Sequence, residues 1–224
     1  MDSAIKTTPR AANTRKLTTT AMLCAVAYVA MLVGKIVPNV AGFLSYDPKD
    51  VVVVIGGFIY GPVAALIISV IVSFVEMITV SATGFYGLIM NIFSTCAFAI
   101  PAALAYKKLR SMKGAIVGLA AGIVVMAAAM VLWNWIITPI YMGYPRAAVA
   151  AMLPTVFLPF NLVKGGINAA ITLLLYKPIV TALRKARLLD MPAVEQKTQF
   201  NLAVTVAAVI LLVVCVVILF AVLI

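Results

Sequence analysis

The 224-residue chain has no histidine, three cysteines and only six acidic residues, against 17 lysines and arginines. Because Cys24, Cys96 and Cys215 stand singly inside apolar runs, neither a disulfide framework nor a zinc site of the Cys/His type can be assembled. The phosphate-cradling pattern G-x-x-x-x-G-K-[ST] is also missing, so the chain is not expected to hydrolyse ATP, and any energy source must be a partner or a gradient. Charged residues make up 10% of the chain, where soluble domains carry about 25%. That scarcity argues against a water-soluble enzyme or nucleic-acid-binding domain in spite of the net charge of +11. What is abundant is apolar: 65% of residues, with a mean hydropathy of +1.19. At about 20 residues per helical crossing, this reads as an all-α, polytopic membrane helix bundle with six or seven spans and no soluble domain beside them.

The first 16 residues are polar and basic (Lys6, Arg10, Arg15, Lys16) and lead into an apolar run to about Val37. The run is long and more spans follow, so it is read as helix 1 and not as a signal peptide, with its basic flank in the cytoplasm. Further apolar stretches cover 51–80, 86–106, 114–138, 155–176 and 200–224. The stretch 51–80 is too long for one pass and holds Tyr60-Gly61-Pro62 at its middle, which is either a kink or a stop followed by a start. Charge decides: basic clusters at Lys107, Lys108, Arg110, Lys113 and at Lys177, Arg184, Lys185, Arg187, Lys197 both fall inside, with the N-terminus, only if the chain reverses at Gly61-Pro62. Two shortish helices, 50–60 and 62–80, are therefore expected, the first reaching only about 16 Å at 1.5 Å per residue. Outer segments are expected at 38–49, at a short turn 81–85 and in a longer loop 139–154. The organisation is thus a cytoplasmic basic tail (1–16), a six-helix substrate-binding membrane domain (17–189), a cytoplasmic linker (190–199) and an additional seventh transmembrane helix (200–224).

Few polar side chains fall inside the spans, and each is expensive enough in hydrocarbon to be a functional candidate. They are Glu76, Asn91, Asn134, Asn161, Lys164 and Asn168. On this topology four helices carry them in the outer leaflet. Asn161, Lys164 and Asn168 share one helix face at i, i+3, i+7, and Ser69, Ser73 and Glu76 share another at i, i+4, i+7. Interhelical hydrogen bonds and a Glu76–Lys164 ion pair that merely hold the bundle together are one account of these residues. For the Glu, Asn and Lys set a binding site is favoured. Aromatic residues gather at the same level: Phe43, Tyr46, Phe85, Tyr86, Trp133, Trp135, Tyr141, Tyr144, Phe157 and Phe160. They suit an interfacial belt, a flat ligand clasped between rings, or both. Near the inner end of helix 1, Ala21, Ala25, Ala27 and Ala30 form a small-residue face on which either an internal helix or a cytoplasmic partner can dock.

The sequence resembles the substrate-binding S components of energy-coupling factor (ECF) vitamin transporters, most closely the riboflavin group. The resemblance runs from about Leu17 to Leu189 in TTAMLCAVA, LSYDPKD (44–50), GGFIYGP (56–62), TGFYGLIMN (83–91), WNWIITPIYMG (133–143) and LPFNLVKG (158–165). It implies a six-helix fold in the plasma membrane of a prokaryote, with an outward-facing pocket for riboflavin or a related flavin. It also implies a transmembrane T subunit and two cytoplasmic ATPases as partners, with the S component toppling in the membrane to deliver its ligand. Riboflavin would be cargo, so no cofactor is implied. The family's Ala-x-x-x-Ala motif for docking the T subunit matches Ala21 and Ala25. Its ligand contacts match Asn134, Asn161 and Lys164, and the first outer loop (Leu44, Tyr46, Asp47) would help close the pocket. Thr83 and Gly84, in the 83–91 match, join the candidate contacts. Glu76 and Asn91 are candidates for a ribityl chain, although Glu76 matches no family contact. Helix 7 lies outside the six-helix core.

The competing reading is a proton-coupled secondary transporter of a small organic solute with Glu76 as the proton carrier; the lack of inverted repeats with matching broken helices counts against it. A membrane-embedded enzyme would need clustered acids, a metal site or a nucleophile–base pair, for which one intramembrane carboxylate and no histidine are poor material.

Overall fold

The computed structural model describes residues 9–186, 188 and 202–223. Between α2 (Lys49–Tyr60) and α3 (Pro62–Thr79) the chain turns through one residue, Gly61, at φ +90° and ψ 176°. A Cβ would be strained at that φ, and Pro62 is pre-set for the first turn of the helix that follows. The expected reversal at Gly61-Pro62 is therefore present, and α2 and α3 pack against each other. It brings Lys107, Lys108, Arg110 and Lys113, and Lys177, Arg184 and Lys185, to the same end of the bundle as the start of α1 (Pro9–Gly34). Lys16 lies over the Tyr60 ring at 5.9 Å, Phe58 stacks on Tyr106 at 4.4 Å, and Tyr106 meets Tyr176 edge-on. Lys107, Lys108, Arg110 and Lys113 are exposed around the turn between α4 (Gly84–Leu109) and α5 (Met112–Met142).

Among the described residues six helices are long and apolar enough to cross a membrane, counting the continuous stretch Arg146–Lys185 as one. That stretch comprises α6 (Arg146–Met152), a π-helical turn (Leu153–Phe157) and α7 (Leu158–Lys185). Their outward surfaces are apolar: α3, for example, exposes Val63, Leu66, Ile67, Val70, Ile71 and Phe74 to lipid. α2 is too short to cross and is buried instead, from Lys49 to Phe58, among α1, α3, α4 and α7. Val53, Val54 and Ile55 have no exposed surface. Its backbone is thus satisfied inside protein and not in lipid.

Three expectations need correction. The long outer loop at 139–154 is mostly helix: α5 continues through Pro139 to Met142, and the chain turns only at Gly143-Tyr144-Pro145. Gly143, at φ +68°, donates its N–H to the Pro139 carbonyl, so the proline sits in the last turn of the helix and does not end it. The outer turn at 81–85 is shorter, because α4 begins at Gly84, and helix 1 starts at Pro9, inside what was read as a tail. On the alanine face of α1, Ala27 packs internally in the core, one of the two alternatives, while Ala21 and Ala25 are exposed. The expected linker 190–199, Lys6, Arg187, Lys197 and the first residues of the seventh helix lie outside the described residues. α8 (Leu202–Ile218) packs on α7.

The closest helix contact is α4 against α5, where Gly114, Gly118 and Gly122 repeat every fourth residue. A Cβ on Gly122 would stand 2.4 Å from the Phe98 carbonyl oxygen, and one on Gly118 would stand 2.7 Å from that of Ala102. Neither backbone oxygen can step aside without moving the helix. Gly122→Ala should therefore destabilise the bundle by about 1–3 kcal/mol, read as a lower midpoint of thermal unfolding in detergent. An unchanged midpoint would show that the two helices are not in this contact.

Candidate functional site

Three carboxylates, Asp47, Asp50 and Glu76, are the only acidic side chains among the described residues, and all three lie in one buried network. It forms where α2 begins, because the connector from α1 delivers Asp47-Pro48-Lys49-Asp50 into the middle of the bundle. Lys49, fully buried, bonds the Asp47 carboxylate and reaches Glu76 Oε2 at 3.1 Å. Lys35, just past the end of α1 and 37% exposed, meets Glu76 Oε1 at 2.9 Å, and Asn91 Nδ2 on α4 donates to Glu76 Oε2 at 2.9 Å. Lys164 on α7 pairs with Asp50 Oδ2 at 3.2 Å and donates to Ser94 Oγ at 3.4 Å. Asp50 Oδ1 accepts from Thr95 Oγ1 at 2.6 Å, and Asp50 Oδ2 accepts from Asn168 Nδ2 at 3.3 Å. Asn168 also donates to the Asp47 carbonyl at 3.2 Å and accepts from the Tyr46 hydroxyl at 2.8 Å.

Three negative and three positive groups thus balance, which lets charges stand inside a bundle where a lone one would be prohibitive. Burial works against the ionised Asp47 carboxyl in the connector, but the charges of Lys49 and Lys164, with hydrogen bonds from Lys49, hold it below its ordinary value. Its contribution to stability is consequently present above the ordinary carboxylate range and is lost as the pH falls through its own lowered value.

A second feature adjoins this one. A cavity opens between the connector, the start of α4 and the end of α5. Its walls include Phe43, Leu44, Thr83, Tyr86, Trp133 and Asn134, and no charged side chain lines it. Trp133 lines the cavity against Phe93, with centroids 5.2 Å apart, and Tyr86 meets Tyr141 at 5.5 Å. Trp135 and Tyr144 are exposed, as an interfacial belt requires. Phe157 and Phe160 are buried in a separate apolar cluster.

The candidates from sequence therefore divide. Leu44, Thr83 and Asn134 line the cavity. Glu76, Asn91, Lys164 and Asp47 belong to the ion network, with Tyr46 joined to it through Asn168. Asn161 is buried and donates to the Phe157 carbonyl at 2.7 Å, while Asn134 donates to the Met130 carbonyl at 2.7 Å and accepts from Thr138 at 3.1 Å. Gly84 is the exposed first residue of α4, at φ +54°, and does not line the cavity. Two expectations are corrected: Glu76 pairs with Lys35 and Lys49, not Lys164, and it is not the only carboxylate inside the bundle, because Asp50 is fully buried. The sequence reading passed over Lys35, Lys49 and Asp50. The available signal was Asp47-x-Lys49-Asp50, three charges at the mouth of a helix too short to reach both sides of a membrane.

The family model described as ECF transporter, substrate-specific component, matches residues 15–176, and the chain belongs to that family of membrane transporter subunits. It is 31% identical over 186 residues to the riboflavin transporter FmnP of Bacillus subtilis (strain 168), covering 78% of this chain and 98% of that protein. It is 28% identical to the riboflavin transporter RibU of Staphylococcus aureus (strain TCH60), over 76% of this chain and 93% of that one. A solved structure described as the S component of a bacterial ECF transporter superposes with a TM-score of 0.66 at 26% identity, covering 77% of this chain and 99% of that one.

The charge balance predicts an order of effects. Lys49→Met leaves Asp47 without its ammonium and Glu76 with one fewer, and should destabilise the fold by about 3–5 kcal/mol. Glu76→Gln should do less, because Lys49 keeps Asp47 and half-exposed Lys35 can turn to water. Thermal unfolding of the two variants in detergent checks the order, and the reverse order would refute this account of the network.

Proposed function

We propose that the chain is the riboflavin-binding subunit of an ECF transporter, capturing the vitamin outside the cell and passing it inward with a T subunit and two ATPases. The observation that carries this reading is the uncharged, ring-walled cavity with the Asn134 amide in its wall, at the end of the bundle opposite Lys107, Lys108, Arg110 and Lys113. A flat isoalloxazine ring suits Trp133 and Tyr86, and its carbonyls and ring nitrogens suit amide and ammonium donors. Phe43 and Leu44 both line the cavity. Phe43 meets Phe157 at 5.8 Å, and Leu44 shares a cluster with Phe160 and Val163. The connector thus stands between the cavity and the stretch of α7 that carries Asn161 and Lys164. Moving it aside would let a ligand in the cavity reach both.

With the basic end inside, the N-terminus is cytoplasmic and the cavity faces outward, in the plasma membrane of a prokaryote. Riboflavin is cargo in this reading, not a cofactor, and the chain performs no catalysis. Both carboxylate oxygens of Glu76 are engaged by Lys35, Lys49 and Asn91 of this chain, and it does not line the cavity, which favours this reading over a transporter built on Glu76.

Riboflavin titrated into the purified chain should lose fluorescence at submicromolar concentration, and no quenching at micromolar concentration would reject the assignment. Asn161→Ala and Lys164→Ala should each raise Kd about tenfold or more, the scale of a hydrogen bond with a charged or buried partner.

Ala21 and Ala25 lie exposed on the basic half of α1, where a partner helix can approach closely. Ala21→Leu or Ala25→Leu should abolish ATP-driven uptake in vesicles containing all subunits while leaving the riboflavin Kd unchanged. Full uptake by both variants would exclude this face as the docking site.

A further inference from the structure

Lys164 does not stand alone on its helix. Its ammonium lies 3.2 Å from Asp50 and donates to Ser94, so at most two of its three N–H donors are engaged, and one is left for a ligand. Asp50 is itself fixed. It has no exposed surface, one oxygen takes the Thr95 hydroxyl at 2.6 Å, and the other takes Asn168 at 3.3 Å. These five residues come from three helices: Asp50 from α2, Thr95 and Ser94 from α4, Lys164 and Asn168 from α7.

From this geometry we propose that Asp50 is the positioning residue of the binding site: held by Thr95 and Asn168, it orients the Lys164 ammonium and cancels its charge. The site then presents a directed N–H donor with no net charge, which suits a carbonyl on an uncharged heteroaromatic ring. A long lysine side chain loses much rotamer freedom when ordered, and a partner that orders it before the ligand arrives removes that entropy from the binding step. Asn168 ties the same carboxylate to the connector, through the Asp47 carbonyl and the Tyr46 hydroxyl. The charged groups around the pair are otherwise matched: Asp47 and Glu76 with Lys49, and Glu76 with Lys35.

The inference rests on the riboflavin reading, and a double-mutant cycle on the full chain separates the two. Wild type, Asp50→Asn, Lys164→Ala and the double variant are titrated with riboflavin, and folding is monitored by thermal unfolding. Asp50→Asn should raise Kd about tenfold in the wild-type background and less than twofold when Lys164 is already alanine. Equal effects in both backgrounds would mean that Asp50 acts only on the fold and would overturn the proposal. No effect of Asp50→Asn on a wild type that binds would do the same, whereas a wild type that binds no riboflavin would refute the functional reading instead. Should Asp50→Asn not fold, the same cycle is run with Thr95→Val, which removes one anchor of Asp50. A coupled loss of about threefold supports the proposal and an uncoupled one overturns it.

Discussion

The arrangement of the bundle depends on α2 carrying charge into a place where no unbalanced charge can stay. This 12-residue helix cannot span hydrocarbon, and from Lys49 to Phe58 it is enclosed by other helices. Its first turn holds Lys49 and Asp50, both fully buried, which obliges the surrounding elements to answer each with an opposite charge. α3 supplies Glu76, α7 supplies Lys164, and the connector supplies Asp47. Van der Waals packing of small and β-branched residues would tolerate several rotations of these helices, but a buried ion pair tolerates few. The charges therefore specify one assembly more than they stabilise it.

The same balance explains why the cavity wall is free of charge. Every lysine near it is already engaged by a carboxylate, so the cavity can be lined by rings, methionines and one amide without an ammonium reaching into it. A bulky, uncharged, ring-shaped molecule loses little by leaving water for such walls, and its few polar edges need only a few donors. The connector links the two regions, with Leu44 in the cavity wall and Asp47, three residues later, in the network. Rearranging the connector to admit a ligand must therefore disturb or bend around the Tyr46–Asn168 hydrogen bond.

Much of the fold was legible in the sequence because each helix had to be long and apolar, and because basic residues mark one side of a membrane. The reversal at Gly61-Pro62 followed from parity of charge alone and is present in the structure. The loop expected at 139–154 began where the apolar stretch 114–138 ended, yet the helix runs on through Pro139 to Met142, because a proline near a helix end need not stop it. Of the polar residues singled out in the spans, Glu76, Asn134, Asn161, Lys164 and Asn168 are buried and Asn91 half-buried. Their partners were not legible, because pairing depends on helix rotation and depth, which periodicity within one helix does not supply. Asp50 and Lys49 were missed since they sit at a helix start that looks like a solvated loop end until the helix is known to begin inside the bundle.

The remaining helix can be understood from the face it covers. The family match ends at residue 176, and relatives matched over 93–98% of their length align with about three quarters of this chain, so α8 lies beyond what they share. It nonetheless packs on the central stretch of α7: a Cβ on Gly166 would stand 2.7 Å from Cys215 Sγ. On the other side of the same turn Gly165 leaves room for Ile123 and Met126 of α5. Residues 163–170 of α7 are consequently buried all round, Lys164 and Asn168 among them. In hydrocarbon the gain from such packing is close contact and not water release, so small residues at 165 and 166 matter more than apolar ones. α8 thus closes lipid off from the segment of α7 that bears the ammonium and amide, keeping them inside protein where their partners are.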